Sequence, residues 1–170
     1  PIYNVAHYLP LALDSAIYQT LEDIEIICVN DGSTDESLDI INEYADKDPR
    51  IVVITGENHG YGHAMNQGLD IARGEYIGII EPDDFVDVNM YGELYELAIS
   101  NELDYVKGDF YRFQHDELGN ITLDYHETAK SKDNYNILIN PQLNQDVFRY
   151  IMNTWSGIYK KALIEENNID

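Results

Sequence analysis

Short apolar runs alternate with amphipathic stretches along the first half of the chain. Residues 24–29, 51–55 and 75–80 are the apolar runs, and each has the length of a strand that is covered on both faces. Stretches with a helical apolar period lie at 7–21, 34–45, 63–73 and 89–100. Strand, turn and helix repeated at short intervals are typical of a mainly parallel sheet flanked by helices. We therefore predict an α/β fold.

The second part of the chain has a weaker pattern. We predict a strand at 105–107, a hairpin across 109–125 with its turn at 117–120, and a loop over 127–142. A helix at 143–152, an extended stretch at 155–159 and a helix at 160–167 complete the prediction. No linker or internal repeat interrupts the 170 residues, and this length suits one domain. We therefore expect a single domain, 1–170, with a regular first half, 1–108, and an irregular second half, 109–170.

Two patterns predict where helices begin and end. Ser33 and Glu36 have the spacing of a capping box, which would make Ser33 the N-terminal cap of the second helix. Gly74 follows the third helix and is predicted to be its left-handed C-terminal cap.

The chain is strongly acidic, with 10 Lys and Arg against 32 Asp and Glu and a net charge of −22. Such a surface repels phosphate backbones and anionic headgroups, so we expect no binding to nucleic acid. It still admits one small phosphorylated ligand, because a divalent cation can invert the local field. No run approaches the roughly 20 apolar residues of a membrane span, so we predict no transmembrane segment in this chain. Cys28, inside an apolar run, is expected to be buried and unreactive.

A polar cluster follows each of the three apolar runs, at residues 30–33, 57–60 and 81–84. Ligands of open α/β sheets bind beyond the carboxyl ends of the strands, so this shared placement indicates a binding site. The third cluster holds three carboxylates whose like charges repel unless a cation lies among them. Oxygen-only ligands suit Mg²⁺ or Mn²⁺, which keep waters and share phosphate oxygens with a substrate. A solvated turn that caps the next helix is the alternative interpretation.

Four segments together resemble the family 2 glycosyltransferases. They are Pro1-Ile2-Tyr3-Asn4, residues 29–35 (Val-Asn-Asp-Gly-Ser-Thr-Asp), the spaced Asn58, Gly60, Ala64, Asn66 and Gly68, and residues 74–84 with their final Glu-Pro-Asp-Asp. The match covers about the first half of the chain, in order and with suitable spacing, and residues 155–161 resemble a stretch of bacterial members more weakly. The resemblance implies a Rossmann-like GT-A fold with an irregular acceptor-side region, and an inverting transfer from a nucleotide-diphospho-sugar.

The same resemblance implies a nucleotide site. Asp31 matches the residue that reads the nucleobase, where its carboxylate accepts the uracil imide N–H. The segment with Pro1 and Tyr3 would form a wall beside that base, and Asn58 and Gly60 belong to the same nucleotide-binding set.

Metal and acceptor roles follow in the same way. Glu81 is expected near the ribose and Asp83 on the metal, with Asp84 as the other candidate ligand. Glu81 departs from the family's Asp by one methylene, and Met65 stands where many members carry Arg. Trp155 is expected on the acceptor side.

We therefore predict a bacterial glycosyltransferase of the hexosyltransferase type that works in polysaccharide biosynthesis. It would move a sugar from a UDP-sugar to a glycan, a lipid-linked acceptor or another hydroxyl, with Mg²⁺ or Mn²⁺ as cofactor. The first half, 1–108, would bind the donor and the second half, 109–170, would face the acceptor. We expect a cytoplasmic location, with any attachment to the inner face of the membrane made by parts outside this chain.

An inverting displacement also needs a general base beside the acceptor hydroxyl. Asp109 and Asp146 are the acidic candidates in the second half, and neither has the family's surrounding motif. In the resembling family an apolar strand precedes the segment that begins here at Pro1. We therefore expect the chain to be truncated at both ends, with the base beyond Asp170.

Two other functions stay open: a non-catalytic nucleotide-sugar-binding module and a metal-dependent nucleotidyltransferase. The second would usually carry a Gly-rich, basic segment near its start, which this sequence lacks. Residues 60–65 match a dinucleotide-binding fingerprint only in part, because Met65 replaces its third small residue. His59 and His63 have the spacing of a helical metal pair, and we interpret them as surface or loop histidines.

Overall fold

The structure is a computed structural model that describes residues 1–115, 121–126, 137–144, 153–167 and 169. It divides into two compact units. Unit 1 comprises Pro1–Val106 and Ile158–Asp170, and unit 2 comprises Lys107–Gly157. The expectation of a single domain with halves at 1–108 and 109–170 stays a prediction.

The helices within the described ranges are α1 (Leu9–Ile17), α2 (Ser37–Ala45), α3 (Tyr61–Ile71), α4 (Met90–Ser100) and α5 (Lys161–Glu166). The strands are β1 (Ile26–Asn30), β2 (Ile51–Thr55), β3 (Tyr76–Gly78), β4 (Tyr105–Lys107), β5 (Phe110–His115), β6 (Ile121–His126) and β7 (Gly157–Lys160). In these ranges no helix combines the length and the apolar character that crossing a bilayer requires.

Strand pairing in unit 1 is mixed. β1 and β2 are parallel, in register from Ile26 opposite Ile51 to Asn30 opposite Thr55. Ile2 adds a parallel bridge on the other side of β1, where its N–H donates to the Val29 carbonyl at 2.7 Å. A second sheet has the order β3-β7-β4, and β3 is antiparallel to β7. The chain is therefore α/β, as predicted, and a late strand lies between two earlier ones.

The predicted elements of the first half are present, and several of their ends differ from the prediction by one to four residues. The strand predicted at 51–55 is observed with these bounds as β2. In unit 2, β5 and β6 form the predicted antiparallel hairpin. Its predicted turn at 117–120 and most of the predicted helix at 143–152 lie outside the described residues.

The predicted capping box at Ser33 is wrong. α2 begins at Ser37, and the Ser33 hydroxyl accepts a hydrogen bond from Asn4 N at 3.1 Å. Glu36 is the N-terminal cap residue and makes no side-chain capping bond. The Asp35 carboxylate, one residue earlier, accepts the Ser37 N–H at 3.0 Å, so an acid outside the predicted box satisfies the first N–H of the helix.

The predicted left-handed cap at Gly74 is also wrong. α3 ends at Ile71, and Ala72 leaves the helix in an extended conformation with φ −59° and ψ 135°. The Glu25 carboxylate accepts the backbone N–H groups of Arg73 and Gly74. These bonds hold the chain extended where the prediction had a tight turn.

Two apolar clusters form the core of unit 1. The first joins α1 and α2 to β1 and β2, and its buried members are Ile2, Leu9, Leu13, Cys28, Ile41 and Ile51. The second joins α4 to β4 and β7, through Leu94, Ala98, Val106 and Ile158. Cys28 is a buried free thiol, and burial raises its pKa to about 11, as expected of an unreactive cysteine.

A cavity of about 820 Å³ is lined by β1 and β3. Its walls include Ile27 and Cys28 from β1, Ile77 from β3 and Ala64 from α3, so they are largely apolar. In the described part of unit 1, β1 and β3 do not pair with each other; β3 lies at the edge of its sheet, and β1 is bridged on this side by Ile2 at its end.

Candidate functional site

Asp31 lies directly after β1 and is buried, with only 5% of its surface exposed. Its Oδ1 accepts a hydrogen bond from His59 N at 2.8 Å, and its Oδ2 accepts one from Gly60 N at 2.9 Å. One carboxylate therefore anchors the loop that follows β2 to the end of β1. Because each carboxylate oxygen has a second lone pair, Asp31 can also accept a hydrogen bond from a ligand.

Two glycines allow this loop to lie against the turn after β1. Gly32 has φ 71°, and a Cβ there would lie 2.6 Å from the backbone nitrogen of Asn58. Both the left-handed conformation and the close approach require glycine. Gly60, with φ 93°, turns the loop into the first residue of α3. The side of Asn58 away from this contact is open, since the residue is exposed.

The first four residues are fixed to the turn after β1 by Asn4, which has φ 52°. Its Oδ1 accepts the N–H groups of Thr34 at 2.7 Å and Asp35 at 3.3 Å. The next two residues add bonds from Val5 N to Ser37 Oγ and from Ala6 N to Asp35 Oδ2, at 3.1 and 3.0 Å. Residues 4–6 and the turn at 34–37 are therefore joined into one hydrogen-bonded unit.

This attachment determines where Pro1 and Tyr3 lie. Ile2, between them, pairs with the end of β1, and its carbonyl accepts the Asp31 N–H at 2.9 Å. Tyr3 is 49% exposed, so its ring is accessible to a ligand. Pro1 is half-buried and lines the apolar cavity.

The acidic cluster after β3 is a tight turn in which Asp84 N donates to the Glu81 carbonyl at 3.0 Å. Burial raises the pKa of Asp84 above its ordinary value, and the charges of Asp83 and Glu81 raise it further. Like charges are therefore close enough to repel, which is the condition that a cation relieves. Within the described ranges no group of three or more His, Cys, Asp or Glu side chains is arranged to hold a metal. Any cation bound here would need a ligand's oxygens and water to complete its shell.

Two residues at this edge were not predicted from the sequence. The Tyr61 hydroxyl donates a hydrogen bond to Glu81 Oε1 at 2.7 Å, which joins the start of α3 to the acidic cluster. Gln19 is 5% exposed at the end of α1, and its Nε2 donates to the Asp87 carbonyl at 2.7 Å. Its Oε1 accepts the Tyr91 N–H at 3.0 Å, so one amide supports the segment that follows the cluster. The sequence signal that could have indicated Gln19 is a polar residue placed where the apolar face of α1 ends.

The predicted acceptor-side residue lies in unit 2. Trp155 is half-buried and contacts Phe110 edge to face, with ring centroids 4.9 Å apart. Nearby in the same unit, Lys107 Nζ donates to the Asn153 carbonyl at 2.8 Å, and burial lowers the pKa of Lys107 to about 8. Asp109 accepts a hydrogen bond from the Tyr125 hydroxyl. Asp146, the other acidic candidate for a base, lies outside the described residues.

Comparison with solved structures identifies the fold. S. aureus TarS 1–349 in complex with UDP matches with a TM-score of 0.74 and 23% identity, over 99% of this chain and 47% of that 1–349 chain. The mannosyltransferase PcManGT from Pyrobaculum calidifontis, in complex with GDP-Man and Mn²⁺, matches with a TM-score of 0.67 and 18% identity, over 98% of this chain and 44% of that protein. The predicted GT-A fold is confirmed by these likenesses.

Sequence comparison identifies the family. The uncharacterized glycosyltransferase EpsJ of Bacillus subtilis (strain 168) is 36% identical over 174 residues, which cover 99% of this chain and 48% of EpsJ. The chain thus spans about half the length of this relative. The family model described as Glycosyl transferase family 2 matches residues 1–163. The chain therefore belongs to glycosyl transferase family 2.

Proposed function

We propose that the protein is an inverting glycosyltransferase and that unit 1 binds its donor, a UDP-sugar, at the edge formed by Asp31, the 57–60 loop and the acidic cluster. The observation that carries this proposal is the buried Asp31 carboxylate, which is fixed by the N–H groups of His59 and Gly60. It has lone pairs to spare at the carboxyl end of a parallel strand, where α/β sheets bind ligands.

Asp31 suits uracil because of hydrogen-bond polarity. The imide N–H of uracil is a donor, and an ionised carboxylate only accepts. The two backbone N–H bonds hold the carboxylate in place before the ligand arrives, so little conformational entropy is lost on binding. Tyr3, half exposed on the segment that Asn4 fixes, would stack beside the base, and Asn58 and Gly60 would line the same pocket.

The acidic cluster suits the diphosphate end of the donor. Glu81 would accept a ribose hydroxyl, and Asp83 or Asp84 would bind Mg²⁺ or Mn²⁺ together with phosphate oxygens. The raised pKa of Asp84 and the turn that gathers the three acids fit such a cation. When bound, the cation would offset the negative charge that builds on the departing diphosphate. The acidic surface elsewhere would not retain an anion by itself.

The structural neighbours support a nucleotide-diphospho-sugar donor. TarS is known in complex with UDP and with UDP-GlcNAc, whereas PcManGT is in complex with GDP-Man and Mn²⁺. We favour UDP over GDP because TarS, the neighbour with the higher TM-score of the two, is the one in complex with UDP and UDP-GlcNAc. A glycan or lipid-linked acceptor beside Trp155, a cytoplasmic location and a general base outside the described residues remain parts of the proposal.

Isothermal titration of the full-length protein tests this function. UDP should bind with Mn²⁺ present, and Asp83→Ala or Asp84→Ala should weaken binding about tenfold or more, since each removes a charged contact. Asp70→Ala, which removes an exposed acid from α3, is the charge-matched control. Equal UDP binding with EDTA would exclude the metal from the site. Equal binding of CDP, whose base has an acceptor nitrogen where uracil has its imide N–H, would exclude Asp31 as the base-reading residue.

A further inference from the structure

Tyr61 is the first residue of α3, and its hydroxyl reaches across 20 positions of sequence to Glu81 Oε1 at 2.7 Å. The two residues before it, His59 and Gly60, donate their backbone N–H groups to Asp31. Three consecutive residues therefore contact two acids that lie at the ends of different strands.

The contact matters because Glu81 has a longer side chain than an aspartate. The extra methylene adds a rotatable bond, and holding a free Glu in one conformation costs more entropy than holding an Asp. A hydrogen bond from a neutral hydroxyl to a carboxylate is charge-assisted and directional, so it selects one conformation of that side chain. A carboxylate has about four acceptor positions, so the bond to Tyr61 leaves room for a ligand hydroxyl.

We propose that Tyr61 is a positioning residue that holds the Glu81 carboxylate where it can accept a ribose hydroxyl of the nucleotide. The segment of His59, Gly60 and Tyr61 thereby fixes the two acids that read the base and the ribose. This inference rests on the proposed function, because it assumes that a nucleotide binds at this edge.

The test compares two probe ligands in the full-length protein with Mn²⁺: UDP and 2′,3′-dideoxy-UDP, which lacks both ribose hydroxyls. We expect wild-type protein to prefer UDP. In Tyr61→Phe the Kd for UDP should rise about three- to tenfold, the effect of losing one partly exposed charge-assisted hydrogen bond. The Kd for the dideoxy ligand should stay unchanged, because nothing remains for Glu81 to contact.

A double-mutant cycle separates positioning from a direct contact. In a Glu81→Gln or a Glu81→Asp background, Tyr61→Phe should change UDP affinity less than twofold, because Tyr61 acts through the full-length carboxylate. Glu81→Asp also serves if the amide disturbs folding. Tyr18→Phe, at a tyrosine that is 69% exposed directly after α1, is the matched control and should leave both affinities unchanged.

The outcomes separate this inference from the proposed function. If Tyr61→Phe weakens both ligands equally, or neither, or if its effect adds fully to that of Glu81→Gln, Tyr61 does not position Glu81 for the ribose. In each of these cases the wild-type protein still binds UDP, so only the inference is overturned and the proposed function is not. Absence of UDP binding in the wild-type protein would overturn the proposed function and the inference together.

Discussion

The strongest prediction concerns Gly32, where two loops of the site touch. Replacing it by alanine places a Cβ 2.6 Å from the Asn58 backbone nitrogen, about 0.8 Å inside an ordinary 3.4 Å contact. Backbone cannot rotate away as a flexible side chain can, so the 57–60 loop has to move. The left-handed φ of 71° adds strain of its own for any residue with a Cβ.

The expected loss of stability combines these two costs with a smaller entropic gain. A left-handed alanine costs about 1–2 kcal/mol. Displacing packed backbone costs about 1–3 kcal/mol, as overpacking does elsewhere. The loss of unfolded-state entropy returns about 0.4–1 kcal/mol. We therefore expect Gly32→Ala to lower the free energy of unfolding by about 1–5 kcal/mol, most of the range being a large part of the stability of an ordinary domain.

Equilibrium urea denaturation measures this change, and amide hydrogen exchange locates it. The N–H groups of His59 and Gly60 should lose protection in Gly32→Ala, because the moved loop leaves Asp31. Gly62→Ala is the matched control, since a Cβ there meets open space inside α3 and should be neutral or stabilise the protein by about 0.5–1 kcal/mol. A cost below 1 kcal/mol for Gly32→Ala with unchanged protection of both amides would refute the close contact between the loops.

Three further changes test other parts of unit 1. Ile41 is fully buried in the first apolar cluster, so Ile41→Ala should cost about 2–5 kcal/mol in urea denaturation, and a loss below 1 kcal/mol would contradict that packing. Asn4→Ala should lower stability by about 1–2 kcal/mol because it removes the acceptor for Thr34 and Asp35, whereas Asn4→Asp keeps that acceptor and should cost less; equal losses would contradict the role of Oδ1. The Arg50 guanidinium lowers the pKa of Asp48, so this pair stabilises the folded state above the ordinary value of 3.8 and loses its effect as the pH falls through the lowered pKa. The difference in Tm between wild type and Asp48→Asn should therefore be present at pH 6 and disappear at acidic pH. A difference independent of pH would exclude the charge of Asp48 as its cause.

The succession of elements could be predicted because local pattern determines it. The apolar run at 51–55 is β2 itself, and the period of residues 89–100 gave α4 to within one residue. Element ends were less predictable, since they depend on partners that lie far away in sequence. Ser33 has the spacing of a cap, but its hydroxyl accepts a hydrogen bond from the Asn4 N–H instead. Glu25, 48 positions from Arg73, holds the end of α3 extended.

Sheet order and the finer parts of the site depend on long-range packing. β7 lies between β3 and β4, and its pairing with β3 joins residues 80 to 84 positions apart, so no local period encodes it. Asp31 could be selected because a polar cluster at the end of an apolar run is a local signal. Its bonds to His59 and Gly60, and the bond between Tyr61 and Glu81, depend on how two loops meet. The sequence therefore singled out these acids as candidates and could not show what holds them.

The apolar cavity beside β1 and β3 has a consequence for how the chain behaves among other chains. Strand edges that flank an apolar surface offer their N–H and C=O groups to any extended segment, which is the usual starting point of aggregation. The net charge of −22 opposes the approach of a second copy through long-range repulsion. Salt screens that repulsion within about 10 Å at 0.1 M and leaves the apolar attraction intact. The colloidal stability of unit 1 should therefore fall as ionic strength rises.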